Sequence, residues 1–204
     1  MGRIRTGISV FILLSCAWGT SVWERSPWDT TPIKSESAKQ TPQEKSDDAN
    51  TLTDSRDGQT YRTVSVNGLT WMAQNLNYST SGSVCYELKK NCDADGRLYT
   101  WHDAARACPQ GTRLPTASEW ESALSKSAFN QTMRLSGYRA FNHDFYNFAT
   151  TGVYWTADEN PDYHDYAYYF KWENSQWIKK HFYKDQANSV RCVSGSTAQG
   201  GSEW

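Results

Sequence analysis

Residues 100–120 read TWHDAARACPQGTRLPTASEW, and their spacing predicts two short helices parted by a cysteine, a proline and a glycine. Thr100 is placed to cap the first helix. Trp101, Ala104, Ala105 and Cys108 then follow along one face at i, i+3, i+4 and i+7. Pro109, which has no amide proton, and Gly111 stop this helix. Thr116 and Glu119 in "TASE" fit a reciprocal capping box, with Trp120, Ala123 and Leu124 as the apolar face behind it. A cysteine placed where a helix stops points to a covalent tie between the helix pair and another part of the chain.

The 204 residues include five cysteines. The first, Cys16, ends the stretch MGRIRTGISVFILLSC, in which Arg3 and Arg5 precede an apolar run from Ile8 to Leu14. A basic start and a short apolar run make an export signal, and the run is too short to span a bilayer as a helix. Leu13-Leu14-Ser15-Cys16 resembles a bacterial lipobox. Residues 1–15 are therefore expected to be a lipoprotein signal peptide and Cys16 the lipidated residue, although "AWGT" at 17–20 offers a site for ordinary signal peptidase. With Cys16 set aside, Cys85, Cys92, Cys108 and Cys192 can all pair, in three connectivities. Spacing favours one. Cys85 and Cys92 bracket "CYELKKNC", a short charged loop that can close on itself, which leaves Cys108 for Cys192.

From 16 to 53 the chain is rich in Ser, Thr, Lys, Glu and Pro without apolar periodicity, so a disordered tether is expected. Residues 194–204 read as a flexible tail. Between them, 54–193 is the folded part. "YRTVSVNGLTWMAQN" predicts two strands about Asn67-Gly68, a favoured hairpin dipeptide. "GVYWTAD", "YAYYFKW", "QWIKKHFYK" and "SVRCV" are strand-like, with a turn at "ENS", 173–175. A hairpin, two helices and then strands make an α+β class. The net charge of -1 supplies no basic field for nucleic acid. Ten Trp and twelve Tyr suit either a loop-rich core or a contact surface.

"DSRDGQTYRTVSVNGLTWMAQNLNY", "GRLYTWHDAARACPQGTRLPTASEWESAL", "VYWTA" and "SVRCV" closely resemble the Fibrobacter succinogenes major paralogous domain, over roughly 54–193. The resemblance implies exported bacterial proteins, often lipoproteins, without an assigned biochemical role. The helix-cysteine-helix segment is also similar to C-type lectin-like domains and to the formylglycine-generating enzyme superfamily. The fold it implies is a C-type lectin-like domain with an N-terminal hairpin, two short helices and a twisted antiparallel sheet, stapled by disulfides. In lectin-like domains a helix cysteine bridges to a late strand, which again favours Cys108 with Cys192. Formylglycine generation needs a close pair of reactive cysteines near the end of the fold. Only Cys192 lies there, so that activity does not carry over.

For other chemistry, a hydrolase needs a nucleophile, base and orienter, or two opposed carboxylates. His102, His143, His164 and His181 are scattered, and His143-Asp144 and His164-Asp165 are loop neighbours. "DENPDYHD" at 158–165 gathers Asp158, Glu159, Asp162 and Asp165, hard oxygen ligands of the kind Ca²⁺ takes. Sugar-binding lectins carry Glu-Pro-Asn or Gln-Pro-Asp and a later Trp-Asn-Asp, whereas this chain has Glu159-Asn160-Pro161 and lacks the second motif. Strand alternation assigns Tyr166, Tyr168, Phe170 and Trp172 to the core, with Ile178 and Phe182. It leaves Tyr169, Lys171, Trp177, Lys179, His181 and Tyr183 as an aromatic and basic platform. Asn75 and Asn77 are expected to bond turn backbone. The expectation is a non-catalytic, lipid-anchored module of the cell envelope, at the outer membrane or cell surface. It would bind a glycan or a surface protein; the alternatives are a purely structural display domain and, third, an enzyme of unrecognised type.

Overall fold

Asn67 and Gly68 both take positive φ, 51° and 81°, and close a two-residue turn between strands β2 (Thr60–Val66) and β3 (Leu69–Met72). Val66 faces Leu69 across it, the register expected for an Asn-Gly hairpin. The structure is a computed structural model that describes residues 50–195. The expected signal peptide, Cys16, the tether to Ala49 and the tail beyond Gly195 lie outside the described residues. Strand β1 (Thr51–Thr53) pairs with β2, so the sheet begins three residues ahead of the expected boundary at 54.

The remaining elements are β4 (Ser83–Val84), α1 (Lys89–Asp95), β5 (Leu98–Tyr99), α2 (Trp101–Ala107), α3 (Ala117–Leu124), α4 (Ser127–Asn130), β6 (Tyr138–Arg139), β7 (Phe145–Tyr146), β8 (Val153–Glu159), β9 (Tyr166–Glu173), β10 (Gln176–Tyr183), β11 (Asn188–Ser189) and β12 (Val193–Ser194). They form an α+β arrangement. One sheet has the order β1-β2-β3-β12, a second β10-β9-β8-β11-β5-β4, and β6 pairs with β7. The expected antiparallel sheet holds except where β11 runs parallel to β8.

Helices α2 and α3 fall where the sequence places them. The Thr116–Glu119 capping box is complete: Thr116 Oγ1 accepts from the Glu119 amide at 3.2 Å, and Glu119 Oε2 accepts from the Thr116 amide at 2.9 Å. Glu119 also receives two hydrogen bonds from Arg113, at 2.6 and 2.7 Å, which holds its carboxyl below the usual range. On α2 the buried face is Trp101, Ala104 and Ala107. Ala105 is exposed, because the buried row runs i, i+3, i+6 and a step of about 100° per residue turns Ala105 away from Ala104 and Ala107. Helix α1 begins inside the loop between Cys85 and Cys92 and runs past it to Asp95, a helix that the charged composition did not signal.

Both disulfides form: Cys85 with Cys92, and Cys108 with Cys192, whose Cα atoms lie 5.7 Å apart. Arg113 and Val193 exchange backbone hydrogen bonds of 2.9 Å beside the longer staple, so the inter-helix segment lies along the last strand. Packing is divided by the six-stranded sheet. Val153, Trp155, Ala167 and Tyr169 belong to one cluster with Trp101 and Ala104; Tyr154 and Phe170 belong to another with Trp71, Trp120 and Phe129. Three indole N–H groups end on backbone carbonyls: Trp101 on Thr156, Trp120 on Trp155 and Trp155 on Tyr99, at 2.8–3.1 Å. A Trp can be buried at this depth without leaving its donor unpaired.

A candidate ligand surface on the last hairpin

Asn174 and Ser175, at φ 51° and 60°, make the turn between β9 and β10. Glu173 faces Gln176, Trp172 faces Trp177, and the ladder continues through Phe170–Lys179 and Tyr168–His181 to Tyr166–Tyr183. Directly paired residues share a face. Trp177, Lys179, His181 and Tyr183 therefore lie on the side that carries Tyr166, Tyr168, Phe170 and Trp172, while Tyr169 and Lys171 lie on the other.

This register corrects the predicted platform. Tyr169 is buried in the core against Trp155, at 5.7 Å between ring centroids, and burial pushes its phenol pKa up to about 12. Lys171 is half-buried and ion-paired with Glu173 at 3.6 Å. With Tyr169 it lines a smaller slot of about 270 Å³ between Phe182 and the Tyr138–Tyr146 stack. Of the six side chains assigned to the core, only Phe170 is buried; Tyr166, Tyr168, Trp172, Ile178 and Phe182 remain partly open to solvent.

The open face has two parts. At the turn end, Trp172 and Trp177 tilt against each other at 5.3 Å, and Trp177 meets Tyr154 edge-on at 5.7 Å. Between this pair and α3 runs a groove of about 670 Å³, with Phe170, Leu124, Met133 and Leu135 as further apolar lining. Glu121, Asn130 and Gln176 add polar groups to it. At the far end, Tyr163 stacks on His181 at 6.1 Å with 9° between planes, and Tyr166 lies 4.4 Å from Tyr183. Tyr163 is 57% exposed and Tyr183 41%. Lys179 joins the two parts, ion-paired to Glu121 at 2.9 Å with its ammonium 5.9 Å from the Tyr168 ring.

The acidic residues of 158–165 have separate structural partners. Asp158 accepts from the Ala117 amide at 2.6 Å, at the start of α3. Glu159 accepts from Lys184 Nζ at 2.7 Å, which lowers its pKa. Asp162 and Asp165 act through their backbones, toward Asn160 Oδ1 and the Lys184 amide. Among the described residues, no group of three or more His, Cys, Asp or Glu side chains is placed to hold a metal ion. His143 and Asp144 sit in the β6–β7 turn, whereas His164 and Asp165 precede β9.

Asn75 is buried, as its structural reading requires, but its side chain does more than support a turn. Its Nδ2 donates to the Asp95 carbonyl at 2.8 Å and Ser136 Oγ at 3.1 Å, and its Oδ1 accepts from Tyr154 and from Arg191, both at 3.1 Å. Sequence reasoning missed Arg191, an interior cation inside the apolar-looking "SVRCV". It also missed the outward roles of Tyr163 and Trp172. No protein-family model, no curated protein and no solved structure matches this chain.

Proposed function

We propose that this chain is an exported, lipid-anchored, non-catalytic module of the cell envelope, built on a C-type lectin-like plan, that binds carbohydrate on the open face of β9 and β10. The observation that carries this reading is the run of aromatic rings from Trp172 and Trp177 to Tyr166 and Tyr183 on one partly open sheet face. Sugar rings present an apolar C–H face that stacks on aromatics, while their hydroxyls need nearby polar groups such as Glu121, Gln176 and Lys179. Alternate residues of a strand lie about 6.6 Å apart, so successive rings can meet successive sugars of a polymer. Two disulfides fit an oxidising compartment, in keeping with the export signal and the proposed acylation of Cys16.

Affinity electrophoresis of the purified chain on plant and bacterial glycans tests the proposal. Retardation should weaken in Trp177→Ala and in the His181→Ala, Tyr183→Ala double variant. Free migration through every glycan would refute the carbohydrate reading. A second reading, a protein ligand, is favoured by the position of β10 at the outer edge of the six-stranded sheet. There a partner's extended segment can pair with its backbone. Pull-downs that capture one surface protein, lost on a proline substitution at Lys180, would support it.

A further inference from the structure

A second cavity, of about 570 Å³, lies between the β2–β3 hairpin, α1 and the segment after α4. Arg62 and Gln74 line it from the hairpin side, Gln131, Thr132 and Arg134 from the segment after α4, and Asp93 from α1. Asn75 lines it as well, and behind Asn75 lies Arg191, whose side chain is wholly buried. The Arg191 guanidinium donates to Asn75 Oδ1 at 3.1 Å, Thr132 Oγ1 at 2.6 Å, the Thr132 carbonyl and the Met72 carbonyl at 3.4 Å. These acceptors are all neutral.

An interior cation without a carboxylate is costly, and its potential persists in surroundings that screen poorly. Asn75 and Thr132 stand between that charge and the cavity they line, so the positive potential reaches into it. Arg62 makes no ion pair among the described residues, and Arg134 is paired only with Asp95, at 3.2 Å. Arg62, Arg134 and a single carboxylate, Asp93, thus line the cavity, with the Arg191 charge buried behind Asn75. Burial pushes the Arg191 pKa down; Tyr154 opposes this, and the charges of Arg134 and Arg62 add to it.

We infer that this cleft is a second binding site, for an acidic sugar of the uronic-acid class. Arg62 takes the carboxylate, while Gln131 and the Nε2 of Gln74, whose Oε1 already accepts from the Arg62 amide at 2.7 Å, meet ring hydroxyls. A guanidinium matches a carboxylate in a two-pronged fork, and side-chain amides act as both donors and acceptors toward hydroxyls. The site is separate from the β9–β10 face and does not depend on it.

Calorimetric titration of the full disulfide-bonded chain with a galacturonic acid trimer, at low and high salt, tests the inference. The trimer should bind, more tightly at low salt, and its methyl ester should not. Arg62→Gln should weaken binding roughly fivefold to tenfold and flatten the salt dependence, while Trp177→Ala leaves it unchanged. The inference is overturned by absent binding, by equal affinity for acid and ester, or by an unaffected Arg62→Gln. Loss in Trp177→Ala alone would also overturn it, by moving the acid to the aromatic face. Failure of neutral glycans to bind that face would leave this site standing.

Discussion

Removing the Cys108–Cys192 bridge is the perturbation whose size follows most directly from the fold. The bond joins residues 84 apart, against 7 for Cys85–Cys92. In the chain-entropy relation, closing the longer loop stabilises by about 4–5 kcal/mol and the shorter by about 2 kcal/mol. Net stabilities of whole domains are about 5–15 kcal/mol, so the longer bond is a large share of the total. The variants are Cys108→Ala with Cys192→Ala, and Cys85→Ala with Cys92→Ala, so that neither retains an unpaired thiol from its own bridge. Cys192 is buried beside Val190 in the main core, so its loss removes packing as well. Urea unfolding followed by the fluorescence of Trp71, Trp120 and Trp155, all in the core, gives the midpoints. With a slope of about 2 kcal/mol/M, the midpoint should fall by roughly 2 M for the long bridge and roughly 1 M for the short one. Equal shifts, or a larger one for Cys85–Cys92, would refute the reasoning.

Asn75→Ala leaves Arg191 Nε and the Asp95 carbonyl short of a partner and should cost about 2–4 kcal/mol in chemical unfolding. Gly96→Ala should destabilise by about 1–3 kcal/mol on the same assay. Its φ is 73°, and a Cβ there would lie 2.6 Å from Asn75 Cβ and 2.8 Å from the Leu76 carbonyl oxygen. Glu119 has a folded pKa below its ordinary 4.5, chiefly through Arg113, so its stabilisation is complete above that value and fades as pH falls through the folded one. A thermal-midpoint series taken downward from pH 4.5 should show the decline, and Glu119→Gln, starting lower, should show a shallower one.

Local signals in the sequence translated faithfully where one short stretch determines one short structure. Asn67-Gly68, the Thr116–Glu119 box and the stop after Ala107 all depend on neighbours within a few residues. The cysteine pairing was legible for a different reason: one pair could close on itself, and that left a single choice for the other. The platform on β9 and β10 was misread because alternation gives two faces without saying which is buried. Turn length supplied the missing constraint. A two-residue turn at Asn174-Ser175 sets Trp172 opposite Trp177 and forces both onto one side, which is incompatible with one being core and the other surface. Arg191 was invisible for a physical reason as well. Nothing local marks an arginine for burial; its acceptors come from Asn75, Met72 and Thr132, far away in sequence.

The small sheet has a mechanical consequence. The described chain enters it through β1, at one border, and leaves through β12, at the opposite border. A pull on Thr51 meets only three residue pairs, which open one after another like a zipper rather than sharing the load. The stretch from Cys108 to Cys192, which contains the last hairpin, is closed by a bond that such force does not break. Under such tension the first strand would give way before the rest, lengthening the chain while the stapled part keeps its shape.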